Sequence, residues 1–162
     1  MEWGPAQKFG VALREDTATL TGRQIVQAMI EGRLPAPPIS RVLSFKPVEV
    51  GDGLAVFEGE PGPDLLNPLG SVHGGWALAL IESATAAAVH STLPAGASFA
   101  TIETKGNFSR LIVPETGRVR AEGRVVNAGR TIVSAECRIV DPRGRLMAHG
   151  TSTVMVFRDL RE

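Results

Sequence analysis

The chain has 162 residues, with 17 Lys+Arg balanced by 17 Asp+Glu and with 43% apolar residues. That composition suits one globular domain with a core of useful size and does not suit a disordered chain. Zero net charge argues against nucleic-acid binding by bulk electrostatics, and a lone cysteine, Cys137, rules out an intramolecular disulfide framework or a multi-cysteine zinc site.

The start, Met1-Glu2-Trp3-Gly4-Pro5, lacks a basic stretch followed by an apolar run, so no signal peptide and a cytoplasmic location are expected. Residues 1–35 read as a helical extension. Thr21-Gly22-Arg23-Gln24 fits a capping box, and Ile25, Val26, Met29 and Ile30 follow at helical spacing until Gly32 and Pro35. Leu34-Pro35-Ala36-Pro37-Pro38 reads as an extended linker, because proline disfavours helix at the residue before it. From Ile39 the period shifts towards strand, over Arg41–Lys46 and Leu54–Glu60, bracketed by Pro47 and Gly51–Gly53.

Gly74–His90 differs from its surroundings. It is rich in Ala and Leu, apolar almost all round, and holds one carboxylate, Glu82, at its middle. This predicts a buried helix; it is too short, and the carboxylate too costly in lipid, for a membrane span. Beyond it, Ala100–Leu111 reads as a strand. Val119, Ala121, Gly123 and Val125 alternate with Arg118, Arg120, Glu122 and Arg124, and Val133, Ala135, Cys137 and Ile139 alternate with polar residues. Turn signals at Asn127-Ala128-Gly129-Arg130 and Asp141-Pro142-Arg143-Gly144 separate these from a last strand, Leu146–Phe157. The expected class is α+β: a curved antiparallel sheet of about six strands wrapped around one long central helix, with a short N-terminal helical extension.

Two features carry chemistry. Glu82 is the only charged side chain between His73 and His90. It is either solvated at a seam or surface, or a general base or nucleophile tuned by burial. His73-Gly74-Gly75 opens the helix, where unpaired N–H groups and the positive dipole end could form an oxyanion hole; the plain alternative is a tight entry into the helix. Gly75 and Glu82 lie on nearly one face but about 10 Å apart along the axis, at a rise of ~1.5 Å per residue. If they cooperate, donor and carboxylate come from different chains, in a symmetric dimer with two shared sites.

Asn67-Pro68-Leu69-Gly70-Ser71-Val72-His73-Gly74-Gly75, with Glu82 beyond it, resembles the hotdog-fold acyl-CoA thioesterases of the phenylacetate-degradation (PaaI-like) group. Thr101-Ile102-Glu103-Thr104, Arg110–Pro114, Asn127–Arg130 and Ala148–Thr151 extend the likeness over roughly 36–157. It implies a hotdog thioesterase domain over 36–162 and hydrolysis of an acyl-CoA, aryl or medium-chain, without metal or cofactor, coenzyme A being part of the substrate. It implies a homodimer, paired into a homotetramer. It assigns Glu82 as base or nucleophile, the Gly74 N–H as oxyanion donor, Asn67 and His73 as holders of the loop and its hydrogen bonds, and Thr101 as a water-positioning hydroxyl. Ala86 departs from members with a hydroxyl one turn beyond the acid, although Thr85 is adjacent.

Gly75 is a further substrate-binding candidate, and Arg110 and Arg130 are candidates for the coenzyme A phosphates, since the planar guanidinium suits phosphate. Trp76, Leu80, Phe99 and Phe108 could line an acyl pocket or simply belong to the core, and Ala84, Ala87 and Ala88 leave room along the helix. His149 reads as a strand residue and Cys137 as packing. A non-catalytic acyl-CoA-binding module on the same fold is the alternative. A hydratase would need an Asp/His pairing that is not found. No partner of nucleic acid or membrane is expected.

Overall fold

Alternating apolar residues build one six-stranded antiparallel sheet. Its strands are β1 (Phe45–Gly51), β2 (Leu54–Gly59), β3 (Ser98–Phe108), β4 (Val119–Ala128), β5 (Ile132–Val140) and β6 (Leu146–Phe157), in the spatial order β1-β2-β4-β5-β6-β3. The computed structural model describes residues 1–3 and 7–157. Residues 4–6 of the expected extension and 158–162 at the end of the expected 36–162 domain lie outside the described residues. Among the described residues four α-helices accompany the sheet: α1 (Arg14–Thr17), α2 (Gly22–Ile30), α3 (Pro38–Val42) and α4 (Gly74–His90).

The 17-residue α4 touches all six strands. A flat sheet of this size spans about 24 Å at ~4.8 Å per strand, against a helix about 10–12 Å across, so the sheet must curl around α4. This is the hotdog arrangement. Leu80, Ile81, Ala84 and Ala88 of α4 pack on Phe45, Val119, Ala121 and Ile139 in the main core. Fully burying a large apolar side chain is worth about 1.5–3 kcal/mol, which makes this contact the mainstay of the fold. Gly123 allows it: a Cβ there would run into the Ala84 carbonyl oxygen.

The alternation in β4 turns Val119, Ala121 and Gly123 inward and the arginines outward. Arg118 pairs with Glu58, Arg120 with Glu49 and Arg124 with Glu122. Such exposed pairs contribute at most about 1 kcal/mol each. The arginine-rich half of the chain is therefore, in large part, a charged outer sheet face. No described helix is long and apolar enough to cross a membrane.

Three expectations need correction. The stretch 34–46 is neither a free linker nor a strand from Arg41. Leu34 and Ala36 are buried, Ala36 bridges to Phe9, and Pro38 starts α3. Proline in the first helical turn loses no hydrogen bond and has a pre-set φ, so the Pro37-Pro38 pair initiates a helix here. Strand β1 begins only at Phe45, after Ser44 reverses the chain at a φ of 51°. Strand β3 also ends at Phe108, short of Leu111, because the Ser109 and Arg110 N–H groups both turn to the Met147 carbonyl.

Candidate active site

Glu82 lies halfway along α4, partly buried. Thr101, on β3, donates its hydroxyl proton to Glu82 Oε1 at 2.8 Å. The pair joins the middle of the helix to the edge strand of the sheet, and orients one carboxylate oxygen. Thr85, the hydroxyl adjacent to position 86, does not share this task. It is fully buried, bonds the Ile81 carbonyl at 2.9 Å and meets Ser152 Oγ at 2.7 Å, on the sheet side of α4.

The second assembly is at the start of α4. His73 caps the helix: the Gly75 N–H donates to His73 Nδ1 at 2.9 Å. That bond leaves the His73 proton on Nε2 in the neutral ring. It also engages Gly75, whose amide is thereby not the open donor. Among the described residues no acceptor meets the Gly74 N–H, so this group faces outward at the positive end of the helix. Above it lies the Phe108 ring, 3.2 Å from where a Cβ of residue 74 would stand.

A cavity of about 200 Å³ opens in front of this amide, lined among others by Asn67, His73, Gly74, Phe108 and Arg110. Asn67 knits its loop: its side chain donates to Ser71 Oγ at 2.8 Å and accepts from the Leu69 N–H at 2.9 Å. Arg110 is steadied by a 2.7 Å bond from Nη1 to the Leu146 carbonyl, which leaves guanidinium N–H groups at the cavity rim.

Four of the expected site residues, Asn67, His73, Gly74 and Arg110, thus converge at one end of the molecule. Glu82 and Thr101 form a separate pair. Gly74 and Glu82 are eight residues apart, about 12 Å along the axis at ~1.5 Å per residue, so the two assemblies do not meet within one chain. Arg130, at the β4–β5 turn, sits towards the Thr101 end of the sheet, since Ile132 pairs with Met155 and Met155 with Ala100. Among the described residues no group of three or more His, Cys, Asp or Glu side chains is placed to hold a metal.

Cys137 is packing, as its alternation implied. It is buried, and burial, aided by the Glu122 charge, pushes its thiol pKa up to about 12. His149 is an exposed residue of β6. Trp76 and Leu80 are core, with Trp76 Nε1 donating to the Leu43 carbonyl at 2.6 Å. Phe99 and Phe108 instead line cavities. The cover that Phe108 gives Gly74 had no local signal in the sequence; it depends on where β3 ends.

Comparison with known proteins agrees with this fold. The model of the Thioesterase superfamily matches residues 69–148. A proposed esterase of Halobacterium salinarum is 37% identical over 98 residues, 56% of this chain; the chain spans 63% of that relative's length. A variant of the phenylacetic acid degradation protein PaaI from Thermus thermophilus is 30% identical, with a TM-score of 0.66, and the match covers 73% of this chain and 97% of that one. A phenylacetic acid degradation-related protein from Ralstonia eutropha is 28% identical, with a TM-score of 0.73, over 80% of this chain and 98% of its own. By its sequence and by its fold, the chain belongs to the thioesterase superfamily, a family of thioester hydrolases.

Proposed function

We propose that this chain hydrolyses the thioester of an acyl-coenzyme A, aryl or medium-chain, to a carboxylic acid and coenzyme A, in a site completed across a two-fold dimer. The observation that carries the reading is the division of the chemistry: an oriented, partly buried carboxylate at mid-helix, and an unpaired amide in a cavity at the helix start. Two copies with antiparallel α4 helices bring each carboxylate to the other's amide. The outer edge of β3 carries no strand among the described residues and exposes Ile102, which suits pairing with a second β3. Such dimers pair further into a tetramer.

In this site the Gly74 N–H takes the developing negative charge on the thioester oxygen. Glu82, steadied by Thr101, removes a proton from water as its oxygen attacks the carbonyl carbon, or attacks that carbon itself. The C–S bond then breaks, and the coenzyme A thiolate leaves and takes up a proton. In the direct route water afterwards cleaves the acyl-enzyme anhydride. Asn67 and His73 hold the loop and cap that aim the amide. Arg110 at the cavity rim and Arg130 receive coenzyme A phosphates. Coenzyme A enters with the substrate, so the reaction calls on no cofactor, and the reading implies a cytoplasmic enzyme, where acyl-CoA is found.

The test is release of free thiol from a panel of acetyl-, hexanoyl-, benzoyl- and phenylacetyl-CoA. Hydrolysis of an aryl or medium-chain member is expected. No release from any member contradicts the proposal and leaves the non-catalytic binding module.

A further inference from the structure

Strand β3 holds Glu82 of α4 at two points, and the second is reached through three hydroxyl groups. Thr85 Oγ1 lies 2.9 Å from the Ile81 carbonyl oxygen and 3.0 Å from that of Glu82. It also lies 2.7 Å from Ser152 Oγ on β6, which in turn lies 2.9 Å from Thr104 Oγ1 on β3. A hydroxyl has one proton to give, and a carbonyl oxygen has none. The Thr85 proton is therefore committed to the two carbonyls, the Ser152 proton to Thr85, and the Thr104 proton to Ser152. The order of donors is fixed: Thr104, Ser152, Thr85, then the main chain at Ile81 and Glu82. Hydrogen bonds aligned in this way polarise one another.

This chain stands inside a contact that is otherwise apolar. Thr85 is fully buried and Ser152 nearly so. Thr85 is the only hydroxyl among the buried residues of α4, and Ser152 is the only polar side chain among those of β6. A hydrogen bond between buried groups adds little stability over apolar residues of the same shape. What it adds is direction. Hydrogen-bond lengths and angles tolerate less sliding of helix against sheet than apolar packing does.

Both holds on Glu82 depend on one irregularity of β3. Successive residues of a strand point to opposite faces, so Thr101 and Thr104, three residues apart, would face opposite ways in a regular strand. Between Thr101 and Glu103 the register with β6 shifts: Thr101 pairs with Val154, Glu103 with Thr153 and Thr104 with Ser152. The extra residue is Ile102, which is exposed. This bulge turns Thr101 and Thr104 to one side, opposite Val154 and Ser152, which are both buried. Thr101 then takes the Glu82 carboxylate, and Thr104, through Ser152 and Thr85, takes the Glu82 main chain.

We propose that Thr104, Ser152 and Thr85 are positioning residues for the reaction. They lock the turn of α4 that carries Glu82 to the strand that carries Thr101, so that the carboxylate stands at a fixed height and rotation when the thioester arrives. This rests on the thioesterase reading above and adds three residues that do not touch the carboxylate. A misplacement of about 1 Å in a reacting group can cost ~10²-fold in rate, so the hydroxyl chain need restrain only a small movement to matter.

The test is steady-state hydrolysis of one acyl-CoA by Thr85→Val, Thr85→Ser, Ser152→Ala and Thr104→Val. Thr85→Val keeps the shape and removes the hydroxyl; kcat is expected to fall about tenfold with KM unchanged. Ser152→Ala breaks the chain at its middle and shows the same split. Thr85→Ser keeps the hydroxyl, and most of kcat returns. Thr104→Val, at the partly buried end, cuts the link to β3 without opening the core; kcat falls about threefold, and this variant decides the matter if the core variants fail to fold. Unchanged kcat in the folded variants, equal losses in Thr85→Val and Thr85→Ser, or a loss that appears in KM instead, overturns the inference, while thiol release by the wild-type protein upholds the thioesterase reading. Wild-type protein that releases thiol from no acyl-CoA overturns both.

Discussion

At the scale of single residues, the Thr101–Glu82 hydrogen bond separates positioning from chemistry. Thr101 reaches the reaction only through the carboxylate it holds, so its loss should lower turnover and spare binding. Thr101→Val is expected to reduce kcat by about tenfold, less than the roughly 10²–10⁴-fold that loss of the base itself costs, with little change in KM; Thr101→Ser, which keeps the hydroxyl, restores most of the rate. Steady-state kinetics on one acyl-CoA check this, and equal loss in Val and Ser variants would mean that the methyl packing matters instead. Both partners were legible before the structure, one as the sole charge in an apolar run and one by family resemblance. The cover over His90 was not, because the residues that line a cavity with it, Val26, Met29 and Ile39, lie some fifty to seventy positions earlier.

At the scale of elements, α4 was legible to its ends, because Gly74-Gly75 opens an unbroken run of helix formers. Helix α3 was not, since Pro37 and Pro38, which read as linker, form its N-cap and first turn. The N-terminal segment docks through close backbone approach: the Gly22 N–H donates to the Leu93 carbonyl at 3.0 Å, and a Cβ at 22 would strike the His90 carbonyl oxygen. Gly22→Ala is therefore expected to destabilise the protein by about 1–3 kcal/mol in urea unfolding, as overpacking does.

The β5–β6 turn has its own anchor. Burial tends to raise the Asp141 carboxyl pKa, but the Arg145 guanidinium and the N–H groups of Arg145 and Arg143 outweigh it and hold it below the usual value. Since the folded value is the lower one, this contribution is present above the unfolded pKa of about 3.9 and is lost as pH falls through the folded value. Asp141→Asn should lower Tm at pH 7 and shrink the difference between the two proteins at acid pH. A Tm gap that persists at acid pH would show that the charge is not the source.

At the scale of the whole molecule, the claim is that one chain holds half of each site. The sheet, its curl and the central helix were readable from alternation and from one apolar run; the split site was readable only as a distance along a helix. Gly74→Pro removes the amide proton alone. Proline suits the first helical position, and His73, at ψ 133°, already has the extended backbone that a following proline requires. The Phe108 ring, half exposed, has room to swing aside. The decisive measurement is thiol release by Glu82→Ala and Gly74→Pro protein, separately and after refolding together. Each alone should lose at least about 100-fold while remaining dimeric. Random mixing puts one intact site into half of the dimers, so the mixture should recover about a quarter of the wild-type rate. A mixture no more active than its components, or a Glu82→Ala protein near the wild-type rate, would contradict the account.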